Sequence, residues 1–112
     1  MPTRQTPLGG FTAAQLYSTG SYQNKGLFGV LLAENDLTGW DFTSQDLQSA
    51  WFTVSNLTHA KLRHANLTST QLFGAVFRSA DLADTNLTAA DLRSTDFTLA
   101  DLRSATGFAP IS

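Results

Sequence analysis

Apolar residues recur along this chain at one fixed spacing. Every fifth position from Tyr22 to Leu102 is Leu, Phe or Tyr, through seventeen consecutive slots that include Leu27, Leu47, Phe52, Leu67, Phe77, Leu87 and Leu92. Of the 26 residues of these three types, only 9 lie outside the slots. So short and regular a period marks a solenoid, in which each repeat buries its apolar residue against its neighbours in the stack. On an α-helix, five residues turn through about 500°, so successive slots fall about 140° apart and form no stripe. In a flat strand the odd period sends each slot to the opposite face. Both conflicts vanish if the chain turns a corner within every repeat, so that each central residue points at one axis. That is a β-helix, with coils about 4.8 Å apart. The period alone leaves open how many sides each coil has.

The positions around each centre support the corner. Two residues before it, from Ala50 to Ala100, every occupant is Ala, Ser or Thr, small enough for an inward position beside a Leu or Phe. One residue before it, Asp or Asn predominates, as at Asp36, Asp41, Asp46, Asn56, Asn66, Asp81 and Asn86. These side chains hydrogen-bond to nearby backbone in turns. The first repeats depart from this pattern, with Lys25, Val30, Asn35, Trp40 and Gln45 in the slot that later holds small residues. They predict a distorted first coil, with Trp40 in the core or its cap.

Units such as Ala65-Asn66-Leu67-Thr68-Ser69, Ala90-Asp91-Leu92-Arg93-Ser94 and Ala100-Asp101-Leu102-Arg103-Ser104 resemble the A(D/N)LXX consensus of the pentapeptide repeat family. The resemblance runs over residues 20–104. It implies an all-β fold: a right-handed quadrilateral β-helix of about four coils, each made of four pentapeptides. Members of the family share a fold more than an activity, so the fold does not settle function.

A solenoid exposes a core cross-section at each end and needs caps. Thr12-Ala13-Ala14-Gln15 reads as a capping box, with Phe11 and Leu16 placed for a hydrophobic staple and Gly20 for a stop. A short capping helix over Thr12–Thr19 follows. At the other end Gly107-Phe108-Ala109-Pro110-Ile111 breaks the register, and Phe108 and Ile111 are placed to cover the last coil. The chain thus divides into residues 1–19 (tail and capping helix), 20–104 (β-helix) and 105–112 (C-terminal cap).

Charge narrows the partners. A net charge of −2, with 14% charged residues and the two signs interspersed, gives no basic patch for nucleic acid. No stretch approaches the about 20 apolar residues of a membrane span. Residues 1–10 lack the apolar core of a signal peptide. The phrases Ala14–Tyr22 and Asn35–Phe42 nevertheless resemble the opening of secreted bacterial pentapeptide repeat proteins, which implies export of a longer precursor. Localisation stays open between these readings. With no cysteine, disulfides and thiolate metal sites are excluded.

Reactive groups are sparse. His59 and His64 fall at adjacent corners, too far apart to share a metal ion, and Asp84 stacks one coil above His64 as a surface pair. No Gly-rich phosphate loop or set-apart carboxylate pair occurs, so the sequence names no catalytic, cofactor-binding or metal residue and predicts a protein that is not an enzyme. Three Asn-Leu-Thr triplets, at Asn56, Asn66 and Asn86, are products of the repeat. Asn66 and Asn86 stack above Asp46 and read as a hydrogen-bonded ladder. Asp91/Arg93 and Asp101/Arg103 read as solvated ion pairs. The better lead is a set of outward positions that should be polar and are not: Leu31, Trp51, Val54, Phe73 and Val76. They predict an apolar contact patch centred on Trp51 and rimmed by Arg78, Asp91 and Arg93. The competing reading packs Trp51 and Leu31 beneath the N-terminal segment. The function that follows is a non-catalytic scaffold or interaction module, binding a protein partner or a second copy of itself. The alternative implied by the resemblance is a DNA mimic that binds and protects gyrase. That role needs a long acidic rod, whereas Lys61, Arg63, Arg78, Arg93 and Arg103 interrupt the acidity and four coils span only about 20 Å.

Overall fold

Residues 12–107 are described by the computed structural model. From Gly26 onward, parallel bridges join residues twenty apart: Leu31 to Trp51, Trp51 to Gln71, Gln71 to Asp91, and likewise on the other sides. Twenty residues therefore complete one coil of a β-helix, and four five-residue sides close it. Each side is too short for a long strand, so the ladder is a series of single bridges. Its bonds alternate in direction: the Leu32 N–H donates to the Trp51 carbonyl (2.8 Å), and the Trp51 N–H donates back to the Val30 carbonyl (2.9 Å).

The corners explain the consensus. The N–H of the small residue usually donates to the carbonyl of the preceding centre, as from Ala50 to Leu47 at 3.0 Å. The residue before it takes a left-handed backbone, and thirteen non-glycine residues among those described do so with φ between 56° and 64°. The Asp or Asn before each centre accepts from the backbone two residues on, and from the Thr hydroxyl there: Asn66 Oδ1 takes the Thr68 N–H (3.1 Å) and Oγ1–H (2.6 Å). The ladder expected between the stacked Asp46, Asn66 and Asn86 side chains is thus replaced by bonds within each corner. The backbone bridges already fill the direction between coils, and these short side chains reach their own turn first.

The centres form four inward columns, fully buried from Leu32 through Leu87, with Ala60, Ala65, Ala75 and Ala80 wedged between them. Phe77 stacks on Phe97 with centroids 5.6 Å apart. Where the small slot holds Ser or Thr, its hydroxyl is satisfied by a carbonyl, as in Ser55 to Leu32 (2.6 Å) and Thr70 to Leu67 (2.9 Å).

The first coil is regular rather than distorted, with the same bridges and corners as the rest. Among the described residues nothing of the ladder lies before it, so Val30, Asn35, Trp40 and Gln45 have room to fill the volume beneath the cap, and all four are buried. That cap is α1 (Ala13–Tyr17), with the capping box between Thr12 and Gln15 formed in both directions and Leu16 driven into the core. Gly20 does not stop the helical segment. It opens a second short helix, α2 (Gly20–Gln23), capped by the Thr19 side chain. Tyr22 accordingly lies in α2 and not in the first coil, and the bridged tract starts at Gly26. The proposed staple partner Phe11, and Phe108 and Ile111 of the C-terminal cap, lie outside the described residues.

Two tyrosines finish the ladder at this end. In a later coil, Lys61 gives its N–H to Trp40 and receives the N–H of Phe42. Asp41 has no preceding coil, so its N–H donates to the Tyr17 hydroxyl and its carbonyl accepts from the Tyr22 hydroxyl, both at 2.7 Å. Burial, with Asp41 and Tyr17 nearby, pushes the Tyr22 hydroxyl up to about 12. The unfolded chain ionises near 10 while the folded one stays neutral, so this contribution is complete below pH 10 and fades as pH rises towards 12. Tyr22→Phe should therefore flatten the alkaline loss of stability, read as the difference in melting temperature between pH 8 and pH 11.

Candidate protein-contact surface

The four walls differ in chemistry because each outward column repeats one position every twenty residues. One wall carries the column Leu31, Trp51, Gln71, Asp91 and, across it, Ala33, Thr53, Phe73, Arg93, with Glu34, Val54, Gly74 and Ser94 at its corner. The opposite wall is charged, with Asp41, Lys61, Asp81 and Asp101 in one column and Arg63 and Arg103 beside it. The two walls between are largely Asx and Thr, their side chains engaged with their own corners.

The structure brings four of the five sequence candidates together on the first wall. Trp51 is 49% exposed and Leu31 47%, so α1 and α2 do not roof them. Val54 and Phe73 are also exposed there. Val76 is separate: it is half-buried on the neighbouring wall, between Asn56 and Asp96. Arg78 lies on that neighbouring wall too, held by Asp96 at 2.8 Å, and does not rim the patch. Phe28 was missed. It is exposed on the other neighbouring wall, that of Gly26, Asp46 and Asn66, just before the Gly29 corner that leads into the Trp51 wall, and its position after Leu27, usually polar, is the signal that could have found it. Among the described residues, four of the six large exposed apolar side chains thus belong to one wall and its corner; the other two are Phe28 and Leu99.

Val54 adds a backbone observation. It sits at φ 59°, where a β-branched residue is a genuine outlier, and Ser, Asn or Gly would be easier. Gly74 one coil on leaves its side room: a Cβ there would stand 3.3 Å from a Val54 methyl. A strained apolar residue kept on an exposed wall does not serve folding.

The wall ends at a charged pair. Arg93 donates through Nε and a terminal nitrogen to the two Asp91 oxygens, at 2.9 and 2.8 Å, and lies over the Phe73 ring, 5.4 Å from its centroid. These bonds hold the Asp91 carboxyl at about 2, so it stays ionised across the ordinary pH range.

On the charged wall, Ala83 takes the place held by arginine one coil before and one coil after, leaving a shallow notch of about 290 Å³ lined by Arg63, Ala83, Asp84, Arg103 and Ser104. Its guanidiniums are already matched, Arg63 with Asp81 at 3.1 Å and Arg103 with Asp101 at 2.7 Å. His64 meets Asp84 at 3.7 Å, as the stacking predicts. Ser104 lies two coils from His64, about 10 Å away, with Asp84 between, so the histidine is out of reach of its proton. No group of three metal-ligating side chains occurs among the described residues, and none of their helices is long and apolar enough to cross a membrane.

The pentapeptide repeat profile matches residues 36–72 and 70–106, in eight copies. A pentapeptide repeat protein of the Arabidopsis thaliana thylakoid lumen is 30% identical over 69% of this chain and 57% of its own, with a TM-score of 0.43. Rfr23 from the cyanobacterium Cyanothece 51142 is 26% identical over 66% of this chain and 58% of its own, with a TM-score of 0.40. This chain therefore spans less than two thirds of either relative. A pentapeptide repeat protein from Nostoc PCC 7120 is 20% identical, covering 97% of this chain and 93% of its own, with a TM-score of 0.42. No curated protein matches. Eight repeat copies in register, on a ladder that returns every twenty residues, place this chain in the pentapeptide repeat family.

Proposed function

We propose that this protein is a non-catalytic interaction module: a rigid β-helix, right-handed and of about four coils as in its family, whose Trp51 wall is the contact surface. The observation that carries the reading is the concentration of exposed apolar side chains on that wall, together with the strained Val54 among them. Aromatic anchors surrounded by smaller contacts are the usual centre of a protein interface. The gyrase-mimic alternative finds less support, since Arg63, Arg78, Arg93 and Arg103 each pair with an aspartate and break any acidic stripe.

Two substitutions separate contact from folding. Trp51→Asn restores the usual residue at that position, and Val54→Asn suits a left-handed corner. Trp51→Asn should leave the melting temperature within a few degrees of the parent, and Val54→Asn should raise stability by up to about 1 kcal/mol. Photo-crosslinking from position 53 should lose most of its product in both variants. If both instead melt far lower while crosslinking is unchanged, the wall is structural and the reading fails.

A further inference from the structure

We propose that the Trp51 wall docks a second copy of this chain, side by side and pointing the same way along the stack. The inference rests on the contact-surface reading and adds its occupant. A two-fold axis running along the stack swaps the two halves of the wall at every level. The column Leu31, Trp51, Gln71, Asp91 of one copy then faces the column Ala33, Thr53, Phe73, Arg93 of the other.

Level by level, the contents match. Leu31 meets the buried, small Ala33, Trp51 meets Thr53 with Val54 beside it, and Phe73 meets Gln71. At the fourth level Asp91 of each copy meets Arg93 of the other. The two Asp91–Arg93 pairs come together head to tail, as four charges alternating in sign. Pointing the copies in opposite directions does worse. With Trp51 on Trp51, Leu31 lies on Gln71, and Asp91 and Arg93 run past the partner's first coil; shifted by half a coil, Leu31 lies on Asp91. Charge complementarity therefore selects the same-direction pair. Bridged walls are flat and pack face to face at about 10 Å. A wall four coils high is smaller than the about 800 Å² per partner of a standard interface, so the dimer should be weak and concentration-dependent.

The test exchanges charges. Asp91→Arg makes the fourth level wholly positive and Arg93→Asp makes it wholly negative. Sedimentation equilibrium from about 10 μM to 1 mM should show the parent self-associating and each variant alone weakened at least tenfold. An equimolar mixture of the two variants should associate about as well as the parent, because the two levels then complement each other. Asp91→Asn keeps the corner bond and stands in for Asp91→Arg if that variant melts early. Trp51→Asn should abolish association in every combination. A monomeric parent at 1 mM, or a mixture no tighter than its components, overturns the second copy as occupant. Crosslinking from position 53 to a different protein would still uphold the contact surface, so the two failures are distinguishable.

Discussion

Leu67→Asp should abolish the cooperative fold. Leu67 is fully buried and lies in one inward column with Leu47 and Leu87, one coil on either side. Truncating a buried leucine costs about 2–5 kcal/mol, and an uncompensated buried charge adds about 3–5 kcal/mol. A domain of this size is stable by roughly 6–17 kcal/mol, so the sum removes most or all of it. The position is mid-stack, and a solenoid holds together only through neighbouring repeats, so the coils on either side lose their common core. Leu67→Met keeps the volume and should lose less than about 1.5 kcal/mol. Circular-dichroism melts on the two variants decide the matter: near-parental melting of Leu67→Asp would overturn the inward assignment of the whole register.

Leu16→Ala should detach the N-terminal cap. α1 has five residues and α2 four, far below the about 12–15 at which a helix holds by itself. Their place over the first coil depends on Leu16, fully buried, and on the two tyrosine hydroxyls at Asp41. Losing the leucine should cost about 2–5 kcal/mol, or on the order of 10 °C or more in melting temperature. The damage should be local before it is global. Hydrogen exchange should quicken first at the amide of Asp41, which loses Tyr17, and at Gly26, which bonds to Ser21, while Asn66 and Gln71 keep their protection. Uniform loss of protection along the stack would refute a separable cap.

These two expectations rest on different kinds of information. The period of five is enough to place Leu67 inside, because in a solenoid each residue meets only those one coil away, and identical slots meet identical surroundings. The corner composition, the stacking of His64 beneath Asp84, and the outward position of Trp51 follow from the same register. Where several conformations satisfy one pattern, the register is silent. Tyr22 keeps the five-residue beat perfectly well, yet it belongs to α2, because its hydroxyl is needed at Asp41, nineteen residues on. The Asp and Asn side chains could have bonded along the stack or within their corners, and distance to the nearest donor chose the corners. The bulky Val30, Trp40 and Gln45 looked like a break in the pattern and turned out to be the filling beneath a cap, which only the packed structure supplies. The strain at Val54 was likewise invisible in the sequence, since a residue name carries no φ; the corner imposes it. Local repetition determined which side of the wall each residue faces, and the three-dimensional closure of four unequal walls decided which of them was left apolar and open.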